Sequence, residues 1–167
     1  MNGTMIIYML GWVMNLEAAF MLLPCLTALI YRESAGFSFL IVAFALLIAG
    51  VLCTFRKPAN KAFYAREGFA VVALSWILLS VTGALPFVIS GEIPHFIDAM
   101  FETVSGFTTT GSSILTDVEA LSRCMLFWRS FTHWIGGMGV LVFMLAIVPM
   151  AGGQRIHLLR AESPGPA

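Results

Sequence analysis

The apolar residues of this chain are concentrated in four long runs separated by polar segments. The runs extend over about residues 4–30, 37–55, 69–89 and 124–150. Because the hydrocarbon core of a bilayer is about 30 Å thick and is crossed by roughly 20 helical residues, each run predicts one transmembrane helix. The sequence begins with "MNGTMIIYML", which lacks the basic segment of a cleavable signal peptide, so we expect the first run to be retained.

The segment between the third and fourth runs, residues 90–122, is too polar to cross a membrane. Its middle nevertheless has helical periodicity over residues 96–107, with apolar side chains at spacings of one, three and four residues: Phe96, Ile97, Met100, Phe101, Val104 and Phe107. The sequence that follows, "TTTGSS" at residues 108–113, consists of hydroxyl residues and glycine. A short amphipathic helix followed by a non-helical stretch predicts a re-entrant loop.

The composition indicates a membrane protein and argues against several classes of function. Hydrophobic residues make up 59% of the 167 residues and charged residues 11%, whereas soluble domains carry about 25% charged residues. The formal net charge of +0 argues against a nucleic-acid partner, which would need a basic face. The three cysteines, Cys25, Cys53 and Cys124, stand singly, so neither a metal site nor a redox motif is predicted.

The charge distribution predicts an orientation in the membrane. The connector at residues 56–67 holds four basic residues and one glutamate, and the segment after the fourth run adds two arginines: Arg56, Lys57, Lys61, Arg66, Glu67, Arg155 and Arg160. By the positive-inside rule both segments are cytoplasmic. Two spans precede the connector, so the N-terminus is also predicted to be cytoplasmic. The polar segment at residues 90–122, which is acidic, then faces outward.

Residues 108–112 have the chemistry of a cation site. Non-helical backbone at membrane depth is tolerated where it is buried in protein or lines a water-filled cavity, and the C-terminal end of a helix carries partial negative charge. Threonine is β-branched and suits an extended backbone, while Gly111 can adopt angles forbidden to other residues. Rings of backbone carbonyls replace the hydration shell of K⁺ in channel filters. The alternative is a polar outer loop with a type II turn at Gly111.

Two motifs carry a family resemblance. "HFIDAMFETVSGFTTTGSSIL" and the later "LFWRSFTHWIGGMGVLVFMLAIVPM" resemble the first pore repeat of the TrkH/KtrB superfamily of potassium-uptake proteins, and the two helices upstream resemble the extra N-terminal pair of its TrkH branch. The resemblance implies an all-α membrane protein with four transmembrane helices, one re-entrant pore helix and a filter loop. This is the helix–pore loop–helix unit of potassium-channel-like proteins.

Carried onto this sequence, the resemblance implies a pore helix from His95 to about Gly106. The implied selectivity filter consists of Thr108, Thr109, Thr110, Gly111 and Ser112, with K⁺ bound through Thr109, Thr110 and Gly111. In the related plant transporters a serine at this place goes with preference for sodium, so the resemblance implies that Gly111 goes with preference for potassium.

The resemblance also implies an organisation and partners. Residues 1–55 would be an N-terminal helix pair, 56–67 a cytoplasmic connector, 68–152 the first pore repeat and 153–167 the start of a cytoplasmic linker. Family members build one pore from four repeats, so this chain would supply one of four filter strands and need three further repeats. The expected setting is a bacterial inner membrane and its lipid. The expected partners are a second copy of the full-length chain and a cytosolic nucleotide-binding regulatory subunit.

The expected activity is permeation of dehydrated K⁺, passive or coupled to another ion, with no enzymatic chemistry and no cofactor in this chain. The sequence contains one repeat, so it predicts either a fragment of a longer transporter or identical copies assembled around a pore. The alternative from a different functional class is a non-conducting structural or assembly protein built on a single pore-type repeat.

Ionisable residues inside predicted spans are functional candidates that are expected to have partners. Arg129 and His133 lie one turn apart in the fourth run. We expect Arg129 to support the pore loop by pairing with Glu102, Asp117 or Glu119. The alternative is that Arg129 snorkels to the outer interface.

Other residues inside the spans are predicted to contact neighbouring helices. Gly136, Gly137 and Gly139 would allow close packing of the fourth helix, or act as a hinge. Asn15 and Glu17, near the middle of the first run, could bond to neighbouring helices, to a second subunit or within a proton relay. Pro24 and Pro86 fall inside predicted spans and are expected to kink them.

Overall fold

The computed structural model describes residues 3–55 and 64–147, and its regular structure is helical. The five α-helices are α1 (Gly3–Tyr31), α2 (Gly36–Thr54), α3 (Ala65–Ser90), α4 (Phe96–Phe107) and α5 (Arg123–Ile147). A single 3-10 turn, Val118–Ala120, precedes α5. Residues 1–2, 56–63 and 148–167 lie outside the described part of the chain, and with them most of the predicted connector and the whole predicted linker.

Within the described residues, three helices are long and apolar enough to cross a membrane: Gly3–Tyr31, Gly36–Thr54 and Arg66–Ser90. They coincide with the first three predicted spans. The fourth predicted span coincides with α5, whose crossing of a membrane stays a prediction, as does the re-entry of α4. Helix α4 has the bounds that its periodicity predicts.

Helix α3 begins earlier than the hydropathy pattern predicts. It starts at Ala65 rather than near residue 69, so the end of the predicted connector is the first turn of a helix. The cause is local: the Glu67 carboxylate accepts a hydrogen bond from the backbone N–H of Tyr64 at 3.3 Å, and a glutamate at this position satisfies an amide that the helix leaves unpaired. The helix ends at Gly91, whose φ of +79° is left-handed.

The helices α1 and α2 form a hairpin whose backbones touch. A Cβ atom added to Gly11 would lie 2.7 Å from the Cβ of Cys53, and one added to Gly50 would lie 2.8 Å from the Cγ of Asn15. Small residues permit this approach between membrane helices because packing, rather than apolar burial, drives their association. Gly11 and Gly50 therefore fix the spacing of the helix pair.

A buried polar contact joins α1 to α3. Glu17 is 1% exposed, and its Oε2 accepts a hydrogen bond from Oγ1 of Thr82 at 2.6 Å. This meets the expectation of a bond to a neighbouring helix. Asn15 behaves differently: its buried Oδ1 has no hydrogen-bond partner within the described residues, and its side chain packs against Gly50.

Helix α5 lies against the other long helices through aromatic side chains. Trp128 is fully buried and donates a hydrogen bond from Nε1 to the carbonyl of Gly83 in α3 at 3.0 Å. Its ring meets Phe39 of α2 edge-on at 5.8 Å between centroids, and Phe131 meets Phe20 of α1 at 5.4 Å. Pro24 and Pro86 lie within α1 and α3, which continue past them.

Adding one methyl group at Gly50 should destabilise the helix pair, while the same change at Gly3 should not. The Gly50→Ala methyl would overlap Asn15 and lie 2.9 Å from the backbone carbonyl oxygen of Gly11, which cannot rotate away, whereas a Cβ at Gly3 meets nothing within 4 Å. Overpacking of this kind costs about 1–3 kcal/mol. Thermal unfolding of both variants in detergent micelles measures the difference. Equal stability of Gly50→Ala and Gly3→Ala would contradict the close approach.

Candidate functional site

The C-terminus of α4 is closed by the threonines that follow it. The backbone N–H of Thr109 donates to the carbonyl of Gly106 at 3.0 Å, and that of Thr110 donates to Ser105 at 2.9 Å. This pair of bonds is a Schellman motif, which satisfies the last carbonyls of a helix and requires one left-handed residue. That residue is Thr109, with a φ of 57°.

The expectation that the threonines run extended is therefore wrong at Thr109. A β-branched residue rarely adopts a positive φ, because Cβ approaches the following carbonyl oxygen. The helix terminus imposes this angle, since two of its carbonyls are satisfied only when the chain turns left-handed there. Gly111 also has a positive φ, of 80°, at the position where its conformational freedom was predicted to matter.

The turn leaves the backbone carbonyl oxygens of residues 108–111 without partners among the described residues. The N–H groups of residues 108–111 all donate back into α4, to Val104, Ser105 and Gly106. Within the described residues, none of the carbonyl oxygens of residues 108–111 accepts a hydrogen bond. Residues 108–112 are exposed in the isolated chain. Backbone carbonyl oxygens are groups that can replace the hydration shell of a cation.

Hydroxyl groups form hydrogen bonds that hold the loop against α4. The Oγ1 of Thr108 donates to the carbonyl of Val104 at 2.7 Å and lies 2.8 Å from the Oγ1 of Thr110. The Oγ of Ser105 donates to the carbonyl of Ser112 at 2.6 Å. The last residue of the predicted filter is thus tied to α4, which limits how far the loop can move.

A buried carboxylate connects the loop, α4 and α5. Glu102 is 2% exposed; its Oε2 lies 3.0 Å from the Nε of Arg129, and its Oε1 accepts the backbone N–H of Ile114 at 2.8 Å. The same Oε1 accepts a hydrogen bond from the hydroxyl of Ser113. A buried charge is stable only when it is paired and hydrogen-bonded, and Glu102 meets both conditions.

Of the three predicted partners of Arg129, the structure therefore pairs it with Glu102. The Arg129 side chain is 18% exposed, so it is held inside the protein rather than directed to the interface. Asp117 instead accepts the backbone N–H of Glu119 at 3.1 Å. Sequence reasoning missed the bonds from Ser113 and Ile114, because no periodicity marks which loop residue will reach a helix.

Helix α5 approaches the end of α4 through one glycine. A Cβ atom on Gly136 would overlap the carbonyl oxygen of Phe107 and lie 2.7 Å from its carbonyl carbon. At Gly137 the nearest atom is the Cγ2 of Thr109 at 3.9 Å, which is ordinary contact, and at Gly139 it is Trp76 at 3.2 Å. The helix is continuous through all three glycines, an arrangement that fits packing at Gly136.

His133 is a neighbour of the loop that sequence reasoning did not place there. Its Nδ1 lies 2.9 Å from the carbonyl of Arg129, and its Nε2 lies 3.9 Å from the position of a Cβ on Gly111. The spacing of Arg129 and His133 put both on one stretch of α5, but only the fold shows that this stretch faces Gly111.

The described residues contain no group of three or more His, Cys, Asp or Glu side chains that could hold a metal ion. Cys25, Cys53 and Cys124 are free thiols. The chemistry that residues 102–136 do offer is an oxygen-lined turn at the end of a helix, braced by an ion pair.

Alanine at Gly136 should displace the end of α4, and alanine at Gly137 should not. The Gly136→Ala methyl meets the Phe107 backbone, which cannot rotate away as a side chain can, so the cost is about 1–3 kcal/mol. We expect faster hydrogen exchange at the amides of residues 108–111 in Gly136→Ala only. Faster exchange in both variants would favour a hinge that spans the glycines.

The family model of TrkH, described as a cation transport protein, matches residues 35–167. The Trk system potassium uptake protein TrkH of Vibrio parahaemolyticus is 40% identical over 96% of this chain and 34% of its own length. TrkG of Escherichia coli, also a Trk system potassium uptake protein, is 40% identical over 95% of this chain and 33% of its own length.

A solved structure is similar as well. The crystal structure of the potassium transporter TrkH from Vibrio parahaemolyticus matches with a TM-score of 0.81 and 36% identity, over 96% of this chain and 36% of that chain. The chain thus spans about a third of the length of the relatives it matches. These relatives are transport proteins, which confirms the expectation that the chain is not an enzyme. The chain belongs to the TrkH family of cation transport proteins.

Proposed function

We propose that this chain supplies one of the four selectivity-filter strands of a potassium-uptake transporter. The observation that carries the proposal is the set of unpartnered carbonyl oxygens at residues 108–111, which follow directly on the C-terminus of α4. The family membership supplies the context, because the matched relatives are named as potassium uptake proteins.

The carbonyls of Thr109, Thr110 and Gly111 would take the place of water around a dehydrated K⁺. Helix α4 contributes through its C-terminal end, which carries partial negative charge. Gly111 keeps the path open, since it has no side chain and its φ of 80° is one that other residues rarely adopt. Ser112 closes the strand through its bond to Ser105.

The pair of Glu102 and Arg129 supports the strand without contacting the ion in this proposal. The Glu102 carboxylate accepts a hydrogen bond from the backbone N–H of Ile114, two residues beyond Ser112. The partner of Glu102, Arg129, belongs to a different helix, α5. Selectivity needs carbonyls held at a fixed spacing, and bonds from both sides of the loop provide that restraint. Gly136 acts in the same sense by bringing α5 against Phe107.

Membership of the family supports a proposal for the setting and the partners. We place the chain in a bacterial inner membrane with its N-terminus in the cytoplasm and residues 108–112 on the outer side. Three further repeats complete the pore, and the complete transporter works as a homodimer with a cytosolic nucleotide-binding subunit. The exposed apolar side chains of α2, such as Phe44 and Leu52, suit contact with lipid.

Replacing Gly111 with serine should weaken the preference for K⁺ over Na⁺. The test uses a chimera in which this chain replaces the matching third of Vibrio parahaemolyticus TrkH, with uptake of both ions measured in a strain lacking its own potassium uptake. We expect selectivity to fall about tenfold, which corresponds to about 1.4 kcal/mol.

The matched control is Gly3→Ser. A Cβ at Gly3 meets nothing within 4 Å, and Gly3 begins α1, away from the loop. Unchanged selectivity in Gly111→Ser, or an equal loss in both variants, would contradict the filter assignment.

The 167-residue chain alone should carry no K⁺ into liposomes, because one strand does not enclose an ion.

A further inference from the structure

Two glutamates from distant parts of the chain cap the N-terminus of α5. The Glu33 carboxylate accepts the backbone N–H of Arg123 with both oxygens, at 3.0 and 2.9 Å. Glu92 accepts the N–H and the hydroxyl of Ser122, at 2.5 and 2.8 Å. A helix N-terminus carries unpaired N–H groups and partial positive charge, and α5 has no acidic residue in its own first turn.

The Glu33 contact attaches α5 to the N-terminal helix pair. Glu33 lies in the turn that joins α1 and α2, 90 residues before Arg123. In the same region the guanidinium of Arg123 lies 4.6 Å from the centre of the Tyr31 ring, a cation–π distance. Further along α5, Trp128 and Phe131 pack against α2 and α1. The helix pair therefore holds α5 at its end and along one side.

A neighbouring side of the same helix holds the loop. Arg129 follows Trp128 directly and pairs with Glu102, whose other oxygen bonds the N–H of Ile114. One turn further, Thr132 meets Gly106: a Cβ on Gly106 would lie 3.0 Å from the Cβ of Thr132. Because a helix moves as a rigid unit over two or three turns, a shift of its N-terminus relative to the helix pair displaces Arg129.

We propose that the N-terminal helix pair positions the filter strand from outside the pore, with Glu33 as the positioning residue and α5 as the connecting element. Glu92 performs the same task from the α3–α4 turn. The inference rests on the proposed function for its consequence on selectivity, but the mechanical connection from Glu33 to Ile114 does not. It assigns a task to two helices that contribute no residue to the loop.

Hydrogen exchange in the 167-residue chain in detergent micelles tests the connection directly. Glu33→Gln removes the charge and one of the two acceptor oxygens. We expect exchange at the Ile114 amide to rise roughly threefold, at the lower end of couplings that packed elements transmit. Exchange at α2 amides near Gly50, which packs against Gly11 and Asn15 of α1, should stay unchanged, which separates this effect from general loosening. Glu119→Gln, which removes an exposed carboxylate of the outer loop, is the control and should change neither.

Faster exchange confined to the first turn of α5, with Ile114 unchanged, would overturn the proposal. Glu102→Gln provides the reference for a loop released at its own contact. If Glu33→Gln does not fold, Glu33→Asp is used instead, because it keeps the charge and shortens the side chain by one methylene group. Hydrogen exchange in the first turn of α5 and at Ile114 is then compared in the same way. In the chimera, Glu33→Gln should lower K⁺ over Na⁺ selectivity with little change in expression.

The two proposals fail in different ways. If Gly111→Ser leaves selectivity unchanged while Glu33→Gln speeds hydrogen exchange at the Ile114 amide, the filter assignment is wrong and the connection from Glu33 to the loop stands. If Gly111→Ser loses selectivity while Glu33→Gln leaves exchange at Ile114 unchanged, the filter assignment stands and the connection is wrong.

Discussion

The arrangement of the loop depends on one buried carboxylate. The Glu102 carboxylate is removed from solvent, but its charge is compensated because an arginine, a backbone N–H and a hydroxyl all bond to it. Removing one partner of such a group leaves an uncompensated charge, which costs several kcal/mol. The loop, α4 and α5 are therefore joined at a point where none can move without the others. This restraint lets a short exposed turn keep a defined shape.

Small residues and aromatic rings place α5 so that this contact can form. Gly136 lets the backbone of α5 reach Phe107, while Trp128 fills the space towards α2 and α3. Helix α5 thus contacts both the N-terminal helix pair and α4. The glutamate caps at its N-terminus fix its position along its own axis, which ring contacts alone leave less defined.

The sequence predicted the helices well and the contacts between them poorly. The bounds of α4 follow from its periodicity, and the pairing of Arg129 with Glu102 was one of three options that charge alone allowed. The left-handed Thr109 was missed because the helix terminus, rather than the preference of threonine, determines its φ. The Glu33 cap was missed because its partner lies 90 residues away, and no local pattern indicates such a pairing. Likewise, spacing could not distinguish Gly136 from Gly137.

The central claim is that the carbonyl oxygens of Thr109, Thr110 and Gly111 bind K⁺. It is tested most directly by carbonyl ¹³C chemical shifts of these residues, measured by solid-state NMR on the labelled chimera in lipid bilayers as Na⁺ is replaced by K⁺. We predict that these three carbonyl signals shift on the addition of K⁺ and that the carbonyl of Gly91 does not. Shifts that are absent at all three residues, or the same for Na⁺ and K⁺, would contradict the account.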